Sequence, residues 1–184
     1  MRIQFGKKEI IRLFRLEPLT PSIILSQFSC PVDEYNEYLC KDALRSQNDH
    51  IARTWLLRER TTGKIIAYMS LIMDAIKLSF TEKELHNLKY PFKTIPAMKI
   101  AKLAVDATSA AQYKGIGSFM IETAIGKAIA CNDEYCAARF LTVDADIEHD
   151  EGILVFYEKN GFIQNTELFN KNRKTISMRK DIYS

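Results

Sequence analysis

Apolar positions along the chain change period several times, and each change marks an element. Ile10 to Leu16 is a short apolar run bounded by charge, which predicts a strand. After Cys30-Pro31, Asp33 sits where a first helical turn favours an acid, and Val32, Tyr35, Leu39 and Ala43 recur every three or four residues; this predicts a helix to about Gln47. Ala52 to Arg58 and Lys64 to Ile76, separated by Thr61-Thr62-Gly63, predict a β-hairpin. Thr81-x-x-Glu84 has the form of a capping box for a short helix ending near Tyr90, because Pro91 disfavours helical geometry in the residue before it. Pro96 to Val105 predicts a strand, and Ile116, Phe119, Met120, Ala124, Ala128 and Ile129 trace one face of a helix. A strand at Arg139 to Val143, a helix at Glu151 to Asn160 closed by Gly161, and a strand at Thr175 to Arg179 complete the pattern. The order β, α, β, β, α, β, α, β, α, β predicts an α/β fold with a mixed sheet, antiparallel at the hairpin and parallel where helices connect strands.

Composition narrows the class. The 184 residues carry 26 Lys+Arg against 23 Asp+Glu, a formal charge of +3, with 47% hydrophobic residues. That excludes a disordered chain, and seven Gly and five Pro exclude collagen-like character. We expect a single domain over residues 1–184, since no linker divides the chain. The N-terminus lacks an apolar h-region, and the longest apolar window, Ile65 to Leu78, contains Asp74 and Lys77; a cytoplasmic protein with no membrane partner is expected. Cys30, Cys40, Cys131 and Cys136 fit no zinc spacing and are expected to be buried free thiols. The acids from Asp144 to Glu151 are expected to be solvated charge, with no metal bound. His50 and His86 show no carboxylate or Cys partner, and Trp55 is expected in the core. Six lysines from Lys77 to Lys102 face only Glu82 and Glu84, which reads either as a wet surface or as a nucleic-acid footprint.

The segment richest in chemistry is Lys102-Leu103-Ala104-Val105-Asp106 followed by Gln112-Tyr113-Lys114-Gly115-Ile116-Gly117-Ser118, which opens into a helix. A strand feeding a helix through glycines presents backbone N–H groups suited to a phosphate or pyrophosphate. It is neither a Walker A loop, because Lys114 precedes Gly115, nor a dinucleotide fingerprint, because no third glycine follows.

Gln-x-x-Gly-x-Gly at Gln112 to Gly117, preceded by Leu103-Ala104-Val105-Asp106 and followed by Phe156-Tyr157-Glu158-Lys159-Asn160-Gly161-Phe162, resembles the GNAT superfamily of acyl-CoA-dependent N-acyltransferases. Phe28-Ser29-Cys30, Tyr38-Leu39, Ala43, and Pro96 ahead of Met98 to Leu103 resemble its branch of bacterial toxin-type acetyltransferases that modify aminoacyl-tRNA; with these blocks the similarity covers about residues 25–165. The resemblance implies a mixed, mostly antiparallel central sheet flanked by helices, with splayed central parallel strands. It implies acetyl-CoA as cosubstrate, the pyrophosphate resting on the Gln112, Tyr113, Lys114, Gly115, Ile116, Gly117 and Ser118 amides. Backbone groups of Leu103, Ala104 and Val105 would meet the pantetheine arm and the thioester carbonyl. Tyr157 would act as general acid toward the departing thiolate in direct transfer to a primary amine; its spacing with Ile153 and Phe156 alone reads as a core aromatic. The acceptor stays open between aminoacyl-tRNA and a small or protein amine, as does a non-catalytic acyl-CoA-binding module. A homodimer and an antitoxin partner remain open as well. Five residues, Ala107 to Ala111, separate Asp106 from Gln112; this is longer than usual in the family, so the loop is expected to bulge before the phosphates. The modest +3 charge is low for a protein that grips a whole tRNA.

Overall fold

The computed structural model describes residues 3–4, 6–150, 152–165 and 174–184. In chain order the elements are β1 (Ile3–Gln4), α1 (Lys7–Leu13), β2 (Phe14–Pro18), α2 (Asp33–Glu37), a π-helical segment (Tyr38–Asp42), α3 (Ala43–Asn48), β3 (Arg53–Glu59), β4 (Ile65–Ile76) and α4 (Phe80–Leu85). Then come β5 (Ile95–Val105), α5 (Ala107–Gln112), β6 (Tyr113–Lys114), α6 (Ile116–Glu134), β7 (Phe140–Asp146), α7 (Ile153–Lys159), β8 (Ile163–Gln164) and β9 (Thr175–Asp181). The main sheet has the strand order β2-β3-β4-β5-β7-β9-β8. The chain forms two compact units, one of Met1–Ile72 and Ala101–Thr123, the other of Met73–Ile100 and Ala124–Ser184.

In the first unit, β2 pairs antiparallel with β3 from Phe14↔Glu59 to Pro18↔Trp55, and β3 with β4 across the expected hairpin. Leu39 and Ala43 from the helical segment pack with Leu56, Ile65, Tyr68 and Ala104 around a common core, as the helical spacing predicts. The π-helical segment was not foreseen, because a single extra residue in a turn leaves the apolar spacing almost unchanged. The strand expected from Ile10 to Leu16 begins only at Phe14. Before it, the Glu9 carboxylate accepts the Gly6 N–H and Ile10 turns inward, so Lys7–Leu13 coils into a helix. A short apolar run does not tell the two states apart. The connection from β2 through the helices to β3 returns antiparallel, so a helical connection permits a parallel pair without requiring one.

In the second unit, β5 runs parallel to β7 from Ala97↔Phe140 to Ile100↔Val143, where this ladder stops although both strands continue. β9 pairs antiparallel with β7 along its whole length and with β8 at Ile163↔Arg179. The capping box lies at Ser79 and Glu82 rather than Thr81 and Glu84: the Ser79 hydroxyl accepts the Glu82 N–H at 3.2 Å, and the Glu82 carboxylate accepts the Ser79 N–H at 2.8 Å. The helix ends at Leu85, short of Tyr90, and Asn87 just after it has a positive φ of 52.

On α6, Ile116, Met120, Ala124 and Ala128 are buried as expected; Ile121 joins them, and Ile129 is exposed. Trp55 is half-buried rather than fully in the core. Among the described residues no helix is long and apolar enough to cross a membrane.

Candidate active site

In the first unit the site residues follow one another from the end of β5 to the start of α6. Asp106, 2% exposed, closes β5 and caps α5: its carboxylate accepts the Ser109 N–H at 3.0 Å and the Ser109 hydroxyl at 2.8 Å, and meets Lys64 Nζ at 2.7 Å. Burial would raise the Asp106 pKa, but the Lys64 ammonium and the Ser109 donors outweigh it and hold the carboxyl below its usual range. The Asp106 N–H donates to the Ile66 carbonyl at 2.8 Å, and the Ala107 N–H to the Ser29 carbonyl at 2.8 Å, so this corner is fixed from both sides. The residues expected to bulge, Ala107 to Ala111, instead coil into α5 because Asp106 caps them.

Tyr113 and Lys114 pair in parallel with Ile3 and Gln4; the Tyr113 ring packs edge-on against Phe14 at 5.8 Å, and its N–H closes α5 by donating to the Ser109 carbonyl. Gly115 has φ +93, a backbone conformation that side chains disfavour, and its carbonyl accepts the first α6 bond from Phe119 N–H at 2.9 Å. Ile116, Gly117 and Ser118 therefore occupy the first helical positions, whose N–H groups have no acceptor within the helix. The Ile116 side chain is buried, and Gln112, Lys114 and Gly115 are exposed. Leu103 and Val105 are half-buried beside buried Ala104. This corner fits a diphosphate: consecutive amides at a helix start, a glycine at the turn, and Lys114 next to it.

In the second unit Tyr157 is 5% exposed on α7, its ring edge-on to Phe156 at 5.1 Å and to Phe162 at 5.3 Å. The turn after α7 holds it: Asn160 and Phe162 N–H both donate to the Tyr157 carbonyl at 3.0 Å, which requires the φ of +83 at Gly161. Burial pushes the phenol well above its ordinary pKa, so it keeps its proton. The sealed, unsatisfied side-chain polar atoms among the described residues are Arg139 Nε and Arg179 Nε.

His86 does have a carboxylate partner, which the sequence did not reveal: its Nδ1 lies 2.9 Å from Asp181, nearly a hundred positions away. Asp144 forms an ion pair with Lys99 and Glu148 with Lys174, and the Asp146 carboxylate lies 2.9 Å from His149 Nδ1, so these acids have protein partners rather than being simply solvated; Glu151 lies outside the described residues. Among the described residues no cluster of three or more His, Cys, Asp or Glu could hold a metal. In the lysine strip, Lys83 donates to the Phe92 carbonyl and Lys102 sits 4.5 Å over the Tyr35 ring, while Lys77, Lys89 and Lys93 remain exposed. Only Cys30 is fully buried; Cys40 and Cys136 are exposed, and Cys131 is intermediate, with its sulfur 3.4 Å from that of Cys136.

No protein-family model matches the sequence, and no curated protein matches it. Its fold, however, is GNAT-like and is shared with several solved structures. The chain is similar to a structure described as AtaT complexed with acetyl-methionyl-tRNAfMet, with a TM-score of 0.76 and 21% identity over 92% of this chain and 95% of that one. It is likewise similar to a tyrosine-to-phenylalanine mutant of KacT, with a TM-score of 0.73 and 20% identity over 91% and 95% of the two chains. A third similar structure is a tyrosine-to-phenylalanine mutant of the toxin AtaT bound to the C-terminus of the antitoxin AtaR and acetyl-CoA, with a TM-score of 0.68 and 20% identity over 92% and 94%.

Proposed function

We propose that the chain is a single-domain, cytoplasmic N-acetyltransferase that moves an acetyl group from acetyl-CoA to the amino group of an aminoacyl-tRNA. The observation that supports this reading is the Gly115 turn, whose positive φ of +93 leads into the first α6 amides, in a fold shared with an acetyl-CoA-bound toxin. The acceptor is supported by the likeness to the AtaT complex with acetyl-methionyl-tRNA, and by the exposed Lys77, Lys89 and Lys93, which suit phosphates. By the same likeness an antitoxin is the expected protein partner.

In this reading the amides of Ile116, Gly117 and Ser118, with Gln112, Lys114 and Gly115 around them, hold the diphosphate against the positive end of the α6 dipole, while the Tyr113 N–H stays with the Ser109 carbonyl. Backbone groups of Leu103, Ala104 and Val105 align the pantetheine arm, and an N–H among them faces the thioester oxygen, where negative charge grows as the amine attacks. Acetyl-CoA supplies the activated acyl carbon. Tyr157, kept neutral by burial, gives its proton to the sulfur as the C–S bond breaks and the N–C bond forms; the nitrogen releases a proton to water to leave an amide, and water returns one to the Tyr157 phenolate.

Labelled acetyl transfer to aminoacyl-tRNA tests the reading. The wild-type protein acetylates the α-amine, and Tyr157→Phe lowers turnover by about 10²-fold or more while acetyl-CoA affinity holds. Equal turnover in the variant removes Tyr157 from its role. Transfer to small amines but never to aminoacyl-tRNA replaces the acceptor.

A further inference from the structure

In the second unit, one face of the sheet is polar. Lys99 pairs in register with Thr142, and Asp144 with Ser177, so the four side chains share that face. Beside it lies a cavity of about 490 Å³ whose wall includes Asp74, Lys77, Thr94, Lys99, Asp144 and Ser177. The wall is braced in advance. Asn165 donates to the Ser177 hydroxyl at 2.9 Å and accepts from Arg179 at 2.7 Å, and Asp144 is neutralised by Lys99.

Asp74 differs from Asp144. Its carboxylate accepts the hydroxyl of Thr142 at 2.7 Å and the Ala75 N–H at 2.8 Å, both neutral donors, and no described cation pairs with it. Thr142 is 1% exposed, which fixes that oxygen in place. Lys77, exposed on the same wall, makes no ion pair with a described residue either. The cavity therefore offers one oriented negative charge and one positive charge, both without a counter-ion among the described residues.

We infer that this cavity is the acceptor subsite: Asp74 binds the ammonium of the incoming amine, and Lys77 meets an anionic group on the same molecule. A molecule of that class carries a primary amine and a phosphate, as an aminoacylated nucleotide end does. The assignment rests on the transferase reading above and adds the residues that select its acceptor. A hydroxyl in place of the amine is discriminated against, because it brings no charge to Asp74.

Two probes test it by direct titration without acetyl-CoA: an amide-linked mimic of aminoacylated adenosine monophosphate, and its counterpart with a hydroxyl replacing the α-amine. The wild-type protein binds the amine probe about tenfold more tightly, and Asp74→Asn abolishes that preference. Lys77→Gln, a surface change with little effect on folding, weakens both probes by a similar factor. Equal binding of the two probes by the wild type, a preference that survives Asp74→Asn, or a Lys77→Gln protein that binds as the wild type does would each overturn the subsite. A protein that turns over acetyl-CoA with no amine preference loses only the subsite. One that keeps the preference but ignores acetyl-CoA loses only the transferase reading.

Discussion

Helix α6 turns Ile116, Met120, Ala124 and Ala128 inward, each no more than 2% exposed. Helix α4 does the reverse: Phe80 is 76% exposed and Leu85 80%, while Glu82 reaches Arg179 and His86, just past the helix, reaches Asp181. Apolar area removed from water holds the first helix, and its period of 3.6 is the trace this leaves in the sequence. Charge holds the second, between groups that are nearly buried: the Arg179 side chain is 4% exposed and the Asp181 side chain 4%. A buried charge stays paired because losing its partner leaves it desolvated and uncompensated.

Three measurements sharpen the contrast. The largest effect belongs to α6, where Met120→Ala empties fully buried volume and lowers unfolding free energy by about 2–5 kcal/mol in urea melts. On α4 the sensitive position is Glu82. Burial works to raise its pKa, but the Ser79 donors and the Arg179 guanidinium outweigh that and lower it. Asp181 is lowered in the same way by the Tyr183 N–H, Arg139 and His86. Lowered carboxyls contribute stability that is present above the ordinary carboxylate range and lost as pH falls through their native values. Glu82→Gln therefore lowers stability by about 2 kcal/mol at pH 7, a deficit that shrinks toward pH 3 as the wild-type protein loses the same contribution. The smallest effect is expected of Leu85→Ser, which removes an apolar side chain already in water and shifts unfolding free energy by less than about 0.5 kcal/mol. A large loss in Leu85→Ser, or none in Met120→Ala, would reverse the contrast.

The same distinction explains what the sequence disclosed. Spacing revealed α6, the helix through Leu39 and Ala43, and the hairpin, because their apolar residues face a core. Spacing misread α1 and shifted α4, whose starts are set by single local bonds from Glu9 to Gly6 and between Ser79 and Glu82. At the candidate site, Gly115, Gly117 and Tyr157 were visible as motif residues. The groups that fix the surroundings were not. Lys64 reaches Asp106 across 42 positions and Asp74 reaches Thr142 across 68, distances that no local pattern records. The Asp106-x-x-Ser109 cap was legible in principle, as an acid that accepts an N–H three residues on.

The glycine turn at the head of α6 is the feature on which the catalytic account depends, and calorimetric titration with acetyl-CoA tests it most directly. The wild-type protein binds the thioester saturably, and Gly117→Glu, which sets a carboxylate among the first amides of α6, gives no binding heat while its thermal unfolding is retained. A wild-type protein that gives no heat, or a Gly117→Glu protein that binds as tightly as wild type, would contradict the account.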